Sequence, residues 1–186
     1  MAYADTTASD VKRAYAASVS MAAATTWTIS TYSYNAAVQY TGIALSGANG
    51  GICFQGGTGL RVLRTTDSFV GLTGIHATID ANSGAGQYAR MRYFSSDGAF
   101  WISYNRNYVS GPSGSHQTKL ARSADNGATW AFITPANSSF GPGAMSSASF
   151  AISGSCLYVT YGDYDGMVGG ATILRQVKSA DGGATW

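Results

Sequence analysis

Glutamate is absent from this chain of 186 residues, and its nine acids are all aspartate. Lysine occurs only at Lys12, Lys119 and Lys178. With almost none of the strong surface helix formers, and charged residues at 11%, the chain is not built from solvent-exposed helices. Cysteine is scarce too. Cys53 and Cys156 cannot supply a disulfide framework, and their predicted places on equivalent strands of different repeats keep them apart. No apolar run reaches the roughly 18 residues of a spanning helix, so membrane insertion is not expected. The net charge of +2 holds no basic cluster, so nucleic acid is not an expected partner. Asp5 and Asp10 beside Lys12 and Arg13, ahead of a weakly hydrophobic Ala-rich stretch, do not read as a secretory signal.

What fills the gap is glycine, with 24 residues, and tyrosine, with 12, the composition of a β-rich chain with many tight turns. One phrase occurs twice. Ser123-Ala124-Asp125-Asn126-Gly127-Ala128-Thr129-Trp130 returns 56 residues later as Ser179-Ala180-Asp181-Gly182-Gly183-Ala184-Thr185-Trp186. That period is close to one blade of a β-propeller.

The segments ahead of each copy repeat as well. Residues 43–56, 92–105 and 150–162 each read as a hairpin, around Asn49-Gly50, Asp97-Gly98 and a Gly-Ser turn. A loop and a third strand follow each one, at 60–65, 118–123 and 172–179. The first unit ends in a damaged copy, Thr65-Thr66-Asp67-Ser68-Phe69, and a fainter remnant lies near 20–27. The expected fold is all-β: a propeller of four-stranded blades, about three of them over residues 27–186. Residues 1–26 are expected to be a tail or a short helix that Ser9 could cap. Two chains paired about a twofold axis would make six blades, with the strand at 27–31 completing the third blade; the alternative is that the chain is the N-terminal piece of a longer protein.

The octapeptide suits a hairpin lock. Asp125 and Asp181 can accept backbone N–H groups two residues on, closing an Asx-type turn. Gly127 and Gly183 supply a positive φ. The hydroxyls of Ser123, Thr129, Ser179 and Thr185 can tie off further turn groups, and Trp130 and Trp186 anchor the strand that follows.

These octapeptides closely resemble the Asp-box, or bacterial neuraminidase repeat, of sialidase-like β-propellers. The resemblance implies boxes that join the third and fourth strands of each blade, are structural, and lie on the face away from the ligand. It is shared by sialidases, other glycosidases, sorting receptors, photosystem assembly factors and phage tail proteins, so it does not fix an activity. Sialidase chemistry in that family needs an arginine triad, a tyrosine nucleophile with a glutamate beside it, and an aspartate acid/base. This chain has no glutamate, and Arg61, Arg64, Arg90, Arg92, Arg106, Arg122 and Arg175 mostly fall on predicted strands next to the octapeptides. A complete sialidase site is not encoded.

The face opposite the octapeptides is built by the loops between second and third strands and by the blade crossovers. There Arg106, Tyr108, His116, Asp163, Tyr164 and Asp165 are the candidates for a polar and aromatic contact surface. Asp163 and Asp165 could instead be a glycosidase carboxylate pair or hold a hydrated cation, but a turn-forming pair is the favoured reading. His76 and His116 lie far apart with no serine or cysteine elbow, so no catalytic dyad, metal site or cofactor is expected. The leading expectation is a non-catalytic binding or structural propeller, such as a phage tail or virion-surface component contacting glycans or proteins. It would work as a homo-oligomer or within a larger assembly, on a virion or extracellular surface. The alternatives are a partial glycoside hydrolase and an intracellular, cytoplasmic docking factor.

Overall fold

The computed structural model describes residues 2–5, 9–15, 28–34, 36–69, 76–82, 84–107, 116–137, 146–165 and 171–186. These form four antiparallel sheets and no helix among the described residues. The first sheet holds β1 (Ala2–Asp5), β2 (Asp10–Tyr15) and β3 (Thr28–Ser33). The second runs β4 (Val38–Ser46), β5 (Asn49–Gly56), β6 (Gly59–Thr65) and β7 (His76–Asp80). The third runs β8 (Ala85–Phe94), β9 (Ala99–Asn107), β10 (His116–Ser123) and β11 (Ala131–Asn137). The fourth holds β12 (Ser146–Ser153), β13 (Cys156–Asp165) and β14 (Ala171–Ser179). In every sheet each strand pairs with the next in the chain.

The sheets stack in chain order. β4 packs on β1, β8 on β4, and β12 on β8 and β9, which is the radial succession of propeller blades. Burial follows from that order. The third sheet is covered on both faces, so Phe100 to Asn105 on β9 are all buried and the strand reads as a continuous run. Phe100, Ile102 and Tyr104 pack toward Cys53, Leu60 and Val62 of the second sheet. Trp101, between them, packs toward Phe150, Leu157 and Val159 of the fourth. Among the described residues no sheet covers one face of the fourth sheet, and β12 alternates: Ser149 exposed, Phe150 buried, Ala151 exposed. Burying side chains of this size contributes roughly 2–3 kcal/mol each, so the seams between sheets hold the fold together.

Two sequence expectations need correction. The segment 1–26 is not a helix where it is described: β1 and β2 form a hairpin, with Ala4 opposite Val11, and Val11 is buried against Val38 and Phe54. That packing outweighs the Ala-rich composition, most of which lies outside the described residues. Strand β3 pairs with β2 in the chain's own first sheet, Thr31 opposite Lys12. The turn expected at Asn49-Gly50 sits two residues earlier, at Gly47-Ala48. There Gly47 takes φ 58°, and Ser46 and Asn49 form the closing pair.

The close approach of the second and third sheets depends on Gly42 of β4. A Cβ there would lie 2.6 Å from the Met91 backbone nitrogen and 3.0 Å from the Arg90 Cα. Cys53 lies in the same seam, where burial pushes its thiol up to about 12; both cysteines are free, on the second strands β5 and β13.

Candidate functional site

The two ends of the stack differ in construction. One end carries the octapeptides, which connect β6 to β7 and β10 to β11 and follow β14. The first hairpin turns share this end: Ser68 donates its N–H to the Ala48 carbonyl at 2.8 Å, and Gly182 donates to Ser155 at 3.1 Å.

Within the octapeptide, Asp125 is the organising acceptor. Its Oδ1 takes the Ser123 hydroxyl at 2.7 Å and the N–H groups of Ala128 and Thr129 at 3.1 and 2.9 Å, and its Oδ2 takes the Thr129 hydroxyl at 2.5 Å. Asp181 repeats this with Ser179 at 2.6 Å and Thr185 at 2.9 and 2.6 Å. The backbone donors therefore lie three and four residues beyond the aspartate, not two. Trp130 and Trp186 donate their indole N–H back to the carbonyls of Gly127 and Gly183 at 3.2 and 3.1 Å. Both carboxyls are held far below the usual range, by the Thr129 hydroxyl first at Asp125 and by the Ser179 hydroxyl first at Asp181.

The damaged copy folds the same way. Thr65 donates to Asp67 at 2.6 Å and accepts the Phe69 N–H at 2.9 Å, as Ser123 accepts from Gly127 and Ser179 from Gly183. Ser68 and Phe69 take φ 59° and 62°, the places of Asn126-Gly127 and Gly182-Gly183. The remnant near 20–27 lies outside the described residues. These bonds all close within the turn that makes them.

At the opposite end lie the Gly57-Thr58 turn, the β7–β8 crossover and the loop ends of β9, β10 and β13. Arg106 pairs across to Gln117, His116 to Asn107, and Asp163, Tyr164 and Asp165 to Ile173, Thr172 and Ala171. These candidates thus share one end, distributed over the third and fourth sheets. Arg106 is half-buried. Tyr108 and the side chains of His116, Asp163, Tyr164 and Asp165 lie outside what is described.

A polar network that the sequence did not single out joins the second and third sheets here. Asp80, at the end of β7, is buried. Its Oδ2 accepts the Tyr104 hydroxyl at 2.7 Å, and its Oδ1 accepts the Asn82 N–H at 3.0 Å and the Asn82 amide at 2.7 Å. The Lys119 ammonium stands 3.9 Å away. Desolvation pushes the Asp80 carboxyl up, but these donors and the lysine outweigh it and hold the group ionised. Desolvation, then the Asp80 charge, pushes the Tyr104 hydroxyl far up, and Arg106 offsets only part of that. A carboxylate locked ionised and a phenol locked neutral do not exchange protons near neutral pH. The network fixes position and charge at the seam between the two sheets.

A second cluster closes the seam between the first two sheets. The Tyr32 hydroxyl hydrogen-bonds the His76 Nδ1, and Tyr34 sits edge-on to both His76 and Phe54, at 5.2 and 5.4 Å between ring centroids. Arg61 lies 4.8 Å over the Tyr34 ring and donates to the Gly56 carbonyl at 3.0 Å. Burial and Arg61 lower the His76 pKa, keeping the imidazole neutral at pH 7. Among the described residues no group of three His, Cys, Asp or Glu is placed to hold a metal ion. No described helix is long and apolar enough to cross a membrane.

No protein-family model matches the chain, and no curated protein matches it. Among solved structures, it is similar to a GH43 endo-arabinanase from Bacillus licheniformis at 13% identity and a TM-score of 0.46, a match covering 91% of this chain. The chain spans 63% of the length of that protein. The propeller description rests on the chain's own strand order and sheet succession.

Proposed function

We propose that this chain is a non-catalytic binding and structural propeller, that its octapeptides are Asp-boxes of the sialidase-like kind, and that its contact surface is the loop end opposite them. The observation that carries this reading is the state of the carboxylates. Six aspartates have described side chains, and five of them, Asp67, Asp80, Asp97, Asp125 and Asp181, accept hydrogen bonds within turns or seams. Glutamate is absent altogether. Glycoside hydrolysis needs one carboxyl able to give a proton and a second facing it across the scissile bond, and these five are committed elsewhere.

The loop end combines Arg106 and Lys119 with tyrosine-rich loops, a pattern that suits hydrogen bonding and stacking to a glycan or to a partner protein. In this reading the setting is a phage tail or other virion surface, motivated by the composition and the Gly/Ser/Tyr-rich loops. The chain acts there as a homo-oligomer or within a larger particle. Leu174 on β14 supports assembly: it is 82% exposed, whereas the residues that hold its place relative to the octapeptide hydroxyl, Leu60 and Thr118, are fully buried.

A glycan array tests the reading. Binding to a defined set of glycans, lost in Arg106→Ala with Tyr164→Ala, is the expected result. Turnover of a fluorogenic glycoside that disappears in Asp163→Asn or Asp165→Asn would overturn it in favour of a partial glycoside hydrolase. Mass measurement in solution checks the assembly; a monomer at every concentration counts against it.

A further inference from the structure

Two clefts open between neighbouring sheets at the octapeptide end, and the repeat makes them equivalents. The cleft between the third and fourth sheets, about 300 Å³, is lined by Asp97, Trp101, Arg122 and Gly182 among others. The cleft between the second and third, about 430 Å³, is lined by Val62, Arg64, Thr66, Ala77, Gly127 and Ala128 among others. Arg64 and Arg122 hold the same place, one residue before the hydroxyl of Thr65 or Ser123 that caps the turn.

In the smaller cleft the chain supplies its own anion. The Asp97 carboxylate takes Arg122 Nη2 at 2.8 Å and Nε at 3.2 Å, and the Trp101 indole N–H at 2.6 Å. The larger cleft lacks each of these parts. Its β4–β5 turn has two residues, Gly47 and Ala48, where the β8–β9 turn has four and carries Asp97. Gly51 stands opposite Arg64 in register, where Trp101 stands opposite Arg122. Arg64 is exposed, and its stem lies over Gly127, where a Cβ would meet Arg64 Cδ at 3.6 Å. No hydrogen bond or ion pair to Arg64 occurs among the described residues.

We propose that the larger cleft is a binding site for the carboxylate of an acidic sugar residue, anchored by Arg64. The Asp97–Arg122 pair displays the two-point geometry that an arginine in this position makes with a carboxylate. A planar guanidinium suits that anion better than a point charge does. The volume lies within the range of small-ligand sites. The exposed Ala77 offers apolar wall to the C–H face of a sugar ring, and the exposed Thr66 hydroxyl offers a hydrogen bond to its rim. A compact cleft between two sheets takes a ring more readily than an extended acidic peptide. This site is at the opposite end from the loop surface and does not depend on it.

The test is an amide and arginine Nε–H NMR titration of the whole chain with glucuronate, methyl glucoside, inorganic phosphate and a blocked aspartate. The expected result is glucuronate-induced shifts at Arg64, Thr66, Gly127 and Ala128. Arg64→Gln should weaken binding roughly tenfold or more. Arg122→Gln should leave it unchanged. Absence of shifts, persistence of binding in Arg64→Gln with an unaltered thermal melt, or equal response to methyl glucoside would overturn the proposal. Tighter binding of phosphate or of the blocked aspartate would overturn the ligand class, reassigning the cleft to general anions or to acidic peptides.

Discussion

The hydroxyl of Tyr104, on the second strand of the third sheet, donates at 2.7 Å to Asp80, the last residue of the second sheet. This bond joins two blades at a point from which water is excluded. Tyr104→Phe keeps the ring and its packing but leaves a buried carboxylate short of one donor. The expected loss is about 1–3 kcal/mol in urea unfolding. Tyr104→Phe with Asp80→Asn should lose less than the sum of the two single changes.

Acid stability follows from the octapeptides. Asp125 and Asp181 have carboxyls held far below their ordinary 3.8, and Asp80 and Asp97 are shifted in the same direction. A group whose pKa is lower in the folded state stabilises that state fully above its unfolded value. The contribution is lost as pH falls through the folded value. The urea midpoint should therefore be insensitive to these groups at neutral pH, begin to fall near pH 4, and go on falling to the lowest pH reached. In Asp125→Asn with Asp181→Asn the midpoint at pH 7 should be lower and the acid slope shallower. An unchanged slope would contradict the assignment.

Phe69 sits where the intact octapeptides have glycine, at φ 62°, yet its side chain is buried among Val11, Ile52 and Leu63. Holding a residue with a Cβ in the left-handed region costs roughly 1–2 kcal/mol. Losing a buried phenyl ring costs about 3–5 kcal/mol. Burial is the larger effect, so Phe69→Gly should destabilise the chain in thermal and urea melts even though it restores the regular motif.

Gly42 allows β4 and β8 to approach, with backbone rather than flexible side chain facing it. Gly42→Ala should force the two sheets apart and destabilise by about 1–3 kcal/mol. Accelerated labelling of the buried Cys53 thiol, which lies 3.0 Å from the added methyl position, gives a local readout.

The blades were legible because their signals are local. Asp97-Gly98 and Gly154 mark hairpin turns, and a hydroxyl two residues before an aspartate marks the third-to-fourth connection. The first sheet carries no such punctuation: Ala2–Asp5 and Asp10–Tyr15 are strands through the burial of Val11 against another sheet. The Thr65–Phe69 copy looked damaged because glycine was missing, yet the hydroxyl, the carboxylate and two positive φ angles were enough to build the turn. Asp80, Tyr104 and Lys119 were not visible as a unit, since only packing between sheets brings residues 24 apart to a shared bond. Of the signals for that network, the Asp80-to-Asn82 spacing of an Asx turn was the one present in the sequence.

The octapeptide also bears on how the chain assembles. Its defining bonds span four residues or fewer, from Ser123 to Asp125, Gly127 to Ser123 and Thr129 to Asp125. Closing so short a loop costs little chain entropy, whereas the seam bonds must join segments tens of residues apart. Pairing of third and fourth strands should come first, and the stacking of β4 on β8 should come late. On this account the blade condenses from its rim inward. Its commonest sequence element would then act as a kinetic guide that fixes strand register before there is a core to enforce it.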